Sequence, residues 1–263
     1  MAWALRASAT RAANASNPGA SWNGGNLGAA TVKGDRIIAV FDASMVSAQP
    51  HITGVSSTGG GTIKWSRDFQ IEANHNGYFE HLSIWSGVCT ADGSVTAITA
   101  ALSPSLSASS GISCAMAAYS GLALGLGLGV DQSGIQDLVS GGFADTTPNT
   151  TYDSKVTLVA PNKSNLLIIG GHGDAGANVT LTKGAAYTLA VKTDVNANGE
   201  CLQQYMDSGN PGTPLQSTCT SSGSAFDMSA VVAYRLLQGN TQGMPRRPAI
   251  TRPGRVRYNL RGL

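Results

Sequence analysis

An internal repeat is the feature of this sequence that most restricts its fold, because a repeat fixes architecture more firmly than local propensity does. Three segments recur in the same order at offsets of roughly 115–130 residues. The first copy contains residues 30–40, 80–87 and 113–122, and the second contains residues 156–169, 200–209 and 228–237. We therefore expect two similar halves whose strands are arranged in the same way.

Short apolar runs, rich in Val, Ile, Thr and aromatic residues, are separated throughout by Gly, Asn, Asp, Ser or Pro. This pattern is typical of antiparallel strands joined by turns, and helix has little support. Two sheets packed face to face would bury the apolar side of each strand. The sequence predicts an all-β, jelly-roll-like antiparallel β-sandwich made of two similar halves, followed by an extended C-terminal arm.

The repeat also suggests the domain organisation. We expect a β-sandwich body over residues 1–237, with halves at about 20–122 and 150–237, and an arm over 238–263. A crossover at 122–131 alternates Leu with Gly and matches neither phosphate-binding glycine pattern. We interpret it as an extended segment whose glycines permit close backbone approach.

Charge is sparse and unevenly distributed. Charged residues make up 12% of the chain, which suits a packed assembly or a turn-rich β protein. Residues 1–237 contain eleven Lys or Arg and fifteen Asp or Glu, whereas residues 238–263 contain six Arg and no acid. The basic arm is therefore either a solvated tail or a segment with its own partner.

The arm has features of an extended binding segment. Its three prolines oppose a regular helix, and Val256, Tyr258 and Leu260 alternate with polar residues, as in a strand that adds to the edge of a neighbour's sheet. Nucleic acid is a weaker prediction, because the basic interleaving is sparse and the arm is short. The predicted partner-binding residues are Arg246, Arg247, Arg252, Arg255, Arg257, Tyr258 and Arg261.

Membrane and secretory signals are not expected. The chain has no stretch of about 18 apolar residues, and Arg6 and Arg11 interrupt any apolar core of a signal peptide. The cysteines are too far apart for a zinc-binding CxxC pattern, so we expect buried thiols, with one or two disulfides as the alternative. The four are Cys89, Cys114, Cys201 and Cys219.

No catalytic constellation is recognisable. The GxSxG pattern of serine hydrolases is absent, and no spacing rule links the histidines into a triad. Metal binding by residues 172–174, or by His75 with Glu72 and Glu80, has suitable residue types in unremarkable spacing, and histidines on loops or strand surfaces are the simpler interpretation. We expect no enzyme activity, no metal and no cofactor.

Sugar binding is the strongest non-structural alternative, because β-sandwiches often present aromatic stacking surfaces. Trp85 adjoins apolar residues and is expected in the core. Trp65 and Tyr78 lie beside polar turns. They are the possible glycan-binding residues.

Five features of the sequence, in this order along the chain, form a recognisable set of motifs. They are the strand at residues 34–40, the aromatic strand and Ser-Gly turn at 84–87, the A-A-Y-x-G strand at 117–121, Asp131, and the A-Y-R-L strand at 231–236. In these the chain resembles a family of two-part β-sandwich proteins encoded in the structural modules of tailed bacteriophages and prophages. The resemblance covers about residues 20–237.

The resemblance implies a structural component of the virion, such as a minor tail protein. A head decoration protein and a carbohydrate-binding module for host attachment are the alternatives. The implied partners are other virion proteins bound through the arm, copies of the same chain, and a host-surface glycan, with nucleic acid and membrane disfavoured.

Overall fold

Every regular element in the structure, a computed structural model, is a β-strand among the residues it describes, and the predicted all-β class is confirmed. The jelly-roll detail stays a prediction. The structure describes residues 3–59, 61, 63–75, 77–106, 109–122, 140–144, 148–154, 158–159, 166–174, 179–193, 200–207 and 214–235.

The first half is a sandwich of two antiparallel sheets. Sheet A contains, in spatial order, β1 (Ala4–Ser16), β8 (Ser110–Ser120), β3 (Arg36–Met45), β6 (Tyr78–Val88) and β5 (Lys64–His75). Sheet B contains, in spatial order, β2 (Gly19–Asn23), β7 (Val95–Leu106) and β4 (His51–Gly59).

The second half is built in the same way. Sheet C contains, in spatial order, β14 (Thr188–Lys192), β15 (Cys201–Asp207), β12 (Leu166–Asp174), β18 (Asp227–Arg235) and β9 (Ser140–Ala144). Sheet D contains, in spatial order, β10 (Asn149–Asp153), β17 (Thr218–Ala225) and β13 (Leu181–Lys183). A separate ladder pairs β11 (Leu158–Val159) with β16 (Pro214–Leu215).

The two sandwiches have the same strand order. If β11 and β16 are set aside, each half contains eight strands. Taken in chain order, β1 to β8 correspond to β9, β10, β12, β13, β14, β15, β17 and β18, and corresponding strands occupy the same place in their sheets. Tyr119 on β8 pairs with Arg36, and Tyr234 on β18 pairs with Leu167, so the two tyrosines occupy equivalent positions. The predicted two similar halves are therefore present in the strand order.

The ladder register corrects one of the repeat matches. Counted from Tyr119 and Tyr234, the position equivalent to Glu200 is His81, whereas the sequence matching had aligned Glu200 with Glu80. The difference is one residue, and in a strand one residue changes the face that a side chain occupies. His81 and Glu200 both face the three-stranded sheet of their own sandwich: the His81 ring lies 6.4 Å from that of His51 on β4, and Glu200 accepts a hydrogen bond from the backbone N–H of Leu181 on β13.

The two sandwiches stack through sheets A and C, which gives four layers in the order B, A, C, D. One apolar cluster contains side chains from both halves, including Ile38, Ala117, Ile169 and Val232. A second cluster fills the space between sheets A and B. All ten residues of β3 are buried because this strand is covered on both faces, which explains its nearly continuous apolar sequence.

Equivalent positions face each other where β3 crosses β12, and their sizes are complementary. A Cβ atom on Gly171 would lie 2.8 Å from Cγ1 of Val40, and one on Gly173 would lie 2.7 Å from the carboxyl carbon of Asp42. Gly171 and Gly173 are the repeat counterparts of Val40 and Asp42. Glycine in the second half therefore makes room for the larger side chain of the first.

The sandwiches begin earlier than the predicted halves at about 20 and 150. β1 starts at Ala4 because it pairs with β8 along the edge of sheet A, and β9 starts at Ser140 because it pairs with β18. Of the predicted crossover, Leu122 is buried and the remainder lies outside the described residues, as does the arm. No helix in the described part of the chain is long and apolar enough to cross a membrane.

Candidate functional site

The layer between the sandwiches contains polar contacts that join the two halves. The Tyr119 hydroxyl donates to Oε1 of Gln203 at 2.9 Å, and Nε2 of Gln203 donates to the carbonyl oxygens of Ile38 and Ala115 at 3.0 and 3.2 Å. Gln203 is fully buried. Burial also raises the pKa of Tyr119 well above its ordinary value, so the hydroxyl remains a donor.

The equivalent tyrosine makes the reciprocal contact. The Tyr234 hydroxyl donates to Oδ2 of Asp68 at 2.6 Å, and the guanidinium of Arg36 lies 5.8 Å from the centre of the Tyr234 ring. Arg36 is fully buried and donates to the Ser86 hydroxyl at 2.8 Å. Burial lowers the pKa of Arg36 and raises that of Asp68. Each tyrosine thus bonds to the opposite half, which fixes how the sandwiches stack.

Buried carboxyl groups lie at one end of this layer. Burial, followed by the nearby Glu80 and Asp174, raises the pKa of Asp42 well above its ordinary value. His75 Nε2 lies 3.1 Å from Oε2 of Glu80, and its ring stacks on Phe226 at 4.4 Å between centroids. A raised pKa favours the neutral form of Asp42 and so reduces the negative charge of this buried group, and we therefore expect the stability of the stacked halves to depend on pH.

A second polar cluster lies inside the first sandwich, where His51, Glu72 and His81 converge. The Nδ1 atoms of His51 and His81 lie 2.7 and 3.2 Å from the same oxygen, Oε1 of Glu72. His81 is fully buried, and burial lowers its pKa to about 4, so the ring is neutral at pH 7. Two imidazoles and one carboxylate are a ligand set that transition metals bind.

The two predicted glycan-binding residues do not form one surface. Trp65 is half-buried, packs against the core between sheets A and B, and donates from Nε1 to the Ser57 hydroxyl at 3.0 Å. Tyr78 is half-buried at the opposite end of sheet A, where it pairs with His75. Ten residues of β5 separate the two places, or about 33 Å.

Three of the four histidines are not surface residues, in contrast to the simpler interpretation of the sequence, whereas His51 is partly exposed. His75, His81 and His172 are buried. His172 lies 2.8 Å from the Ser229 hydroxyl and 2.7 Å from that of Ser217, and burial lowers its pKa to about 3. His172 is therefore a neutral, hydrogen-bonded residue inside the second sandwich. It is buried because side chains on opposite faces of a strand inside a layered body both face a core.

Trp85 is in the core, as predicted. The cysteines are buried free thiols, in agreement with the favoured interpretation of their spacing. Burial raises the pKa of Cys114 and Cys201 well above the ordinary value, which keeps both protonated and unreactive.

No protein-family model, curated protein or solved structure matches this chain. The roles of its residues are therefore argued from their own geometry. The predicted arginines of the arm lie outside the described residues. The contacts of Gln203 and Arg36 were not predicted from the sequence. A signal was available in β3, where Arg36 and Asp42 are polar residues inside an otherwise apolar strand, because a buried polar side chain requires a hydrogen-bonding partner.

Proposed function

We propose that this chain is a non-enzymatic structural component of a tailed-bacteriophage particle, as a minor tail protein or another accessory virion protein. The observation that carries the proposal is the buried apolar and polar layer between sheets A and C, which joins two sandwiches into one body. A building block of an assembly must hold its binding faces at fixed relative positions, and a shared core does this better than a flexible linker.

The outer sheets support the same role. β4, β7 and β17 contain exposed positions between buried or half-buried ones, and their sequences are rich in Ser, Thr, Ala and Gly. The large apolar side chains that are exposed in the described part are scattered: Val32, Val46 and Leu189. These three strands contain no Lys, Arg, Asp or Glu, so a neighbouring subunit that covers them does not bury an ion, which costs more free energy than burying a hydroxyl group.

Attachment to the particle is assigned to the basic arm. Six arginines without an acid repel one another and favour an acidic partner surface, and proline lowers the ordering entropy lost on docking. The partners proposed are other virion proteins and further copies of this chain. The protein is then located in the virion.

Deletion of residues 243–263 tests this assignment. We expect the truncated body to fold, as judged by circular dichroism and melting, but to be absent from gradient-purified particles. Normal incorporation of the truncated chain would show that attachment lies elsewhere. A glycan array screened with the intact protein distinguishes the host-attachment alternative, for which binding to a defined saccharide is required.

Two sets of substitutions separate the forces in the arm. Replacing Arg252, Arg255, Arg257 and Arg261 by Ser should abolish incorporation if ion pairing dominates. Replacing Val256, Tyr258 and Leu260 by Ser should do so if strand addition dominates. If both variants are incorporated like the wild type, the arm is not the anchor.

A further inference from the structure

We propose that the first sandwich binds one divalent first-row transition-metal ion, with zinc as the type case, through Nδ1 of His51, Oε1 of Glu72 and Nδ1 of His81. This site is independent of the role in the virion. It differs from the sequence-based expectation of no metal because its ligands are brought together by three different strands.

Three side-chain nitrogens converge on one oxygen of Glu72. Nε2 of Gln70 donates a hydrogen bond to Oε1, and the Nδ1 atoms of His51 and His81 lie within hydrogen-bonding distance of the same atom. A carboxylate oxygen offers about two lone-pair sites, so it cannot accept a well-formed hydrogen bond from all three nitrogens. A cation between the carboxylate and the two rings resolves this, because each ring nitrogen then directs a lone pair, and not a proton, towards the centre.

The ligand spacing fits a small coordination sphere. The three ligand atoms all lie within 4.8 Å of one another, and the two distances to Glu72 Oε1 are 2.7 and 3.2 Å. Zinc–nitrogen and zinc–oxygen bonds of about 2.0–2.2 Å in a tetrahedron place neighbouring ligand atoms roughly 3.3–3.5 Å apart. The His81 nitrogen is already close to this spacing from Glu72, whereas the more exposed His51 nitrogen must move away from Glu72 by roughly 0.6–0.8 Å to seat the ion.

The surroundings leave a path for the ion. His51 is 43% exposed and Glu72 is 28% exposed, whereas His81 is buried. One fixed ligand and two accessible ones allow the ion to enter from solvent without opening the sandwich. Three protein ligands also leave a coordination position for water.

The second sandwich provides an internal comparison. The residue equivalent to His81 is Glu200, whose Oε1 lies 3.3 Å from Nζ of Lys192. The same ammonium donates to the carbonyl oxygen of Leu181 on β13, the counterpart of β4. A cation supplied by the chain thus joins the two sheets at this position of the second sandwich, and in the first sandwich three metal ligands occupy the corresponding region.

The strand arrangement indicates what the ion does. Glu72 and His81 form a directly opposed pair on β5 and β6 of sheet A, whereas His51 begins β4 of sheet B. The end of β4 at His51 is the one far from the turn that joins β4 to β5. At that end the chain passes from sheet A to sheet B through residues 46–50, between β3 and β4. The metal adds a second link between the two sheets there, and its role is stabilising.

The experiment uses the full chain, treated with chelator and dialysed, and titrated with zinc chloride in a calorimeter. We expect one zinc ion per chain and, at a free concentration of about 100 times Kd, a rise in Tm of about 5–10 °C. Cobalt(II) serves as a second probe, because a low-symmetry site with nitrogen ligands gives it strong visible absorption.

His51→Gln and Glu72→Gln should each lower zinc affinity at least tenfold, since second-shell changes alone cost about 10–100-fold, and should abolish the rise in Tm. The partial exposure of His51 makes its variant the one expected to fold normally. Lys192→Gln, at the corresponding place in the second sandwich, is the matched control and should bind zinc like the wild type. Absence of zinc binding by the wild type, unchanged binding in both ligand variants, or preferential binding of calcium would overturn the proposal.

Discussion

The buried amide of Gln203 offers the sharpest test of how the two sandwiches are joined. Gln203→Leu keeps the side-chain volume but removes three hydrogen bonds across the layer. The Tyr119 hydroxyl is left buried without this acceptor, at a cost of about 1–3 kcal/mol, and the two carbonyl contacts contribute about 0.5–1.5 kcal/mol each. We expect the free energy of unfolding to fall by about 2–6 kcal/mol, and Tm by roughly 4–24 °C.

A double-mutant cycle with Tyr119→Phe gives the pairwise part of this effect. The double variant has no buried Tyr119 hydroxyl without an acceptor. Its decrease in the free energy of unfolding should therefore be smaller than the sum of the decreases in the two single variants, by about 1 kcal/mol. Urea denaturation followed by tryptophan fluorescence and by circular dichroism measures each value, and both probes should give one shared transition. Gln216→Leu, at an exposed position, is the matched control and should change stability by less than about 0.5 kcal/mol. Additive single effects, or two separate transitions, would refute the shared layer.

Two other perturbations test the same layer. Burial and neighbouring carboxyl groups raise the pKa of Asp42, so folding of the wild type takes up a proton and its stability falls as pH rises above about 4. Asp42→Asn should flatten this dependence and be more stable than the wild type at pH 7. Equal slopes of the free energy of unfolding against pH for the two proteins, from denaturation curves measured between pH 4 and 8, would contradict this. Gly171→Ala would place a Cβ atom 2.8 Å from Val40 and should lower stability by about 1–3 kcal/mol in thermal melts. Gly54→Ala, where nothing lies within 4 Å of the new atom, is its control, and equal Tm values for the two variants would argue against close packing of β3 on β12.

The sequence was sufficient for the fold class because the relevant signals are local. Apolar runs, turn residues and the order of the repeated segments predicted strands and two similar halves, and the strand order agrees. Trp85 and the four cysteines were assigned correctly for the same reason, since each lies in or beside an apolar run. Leu189 shows the limit of local pattern. It alternates with Tyr187 and Val191 in the sequence, which favours a core-facing position, but the register of β14 shifts between Leu189 and Val191 and Leu189 is 37% exposed.

The sequence by itself determined the strands, the duplication and the basic charge of residues 238–263, whereas the tertiary structure alone decided which faces meet. The stacking of sheets A and C, the contact of Tyr119 with Gln203 and the convergence of His51, Glu72 and His81 depend on register and on contacts between distant segments. A shift of one residue moves a side chain to the opposite face of its strand, so the approximate alignment that revealed the repeat could not say that His81, and not Glu80, corresponds to Glu200. Side chains far apart in sequence form a site only after both ladders and the packing of the sheets are fixed.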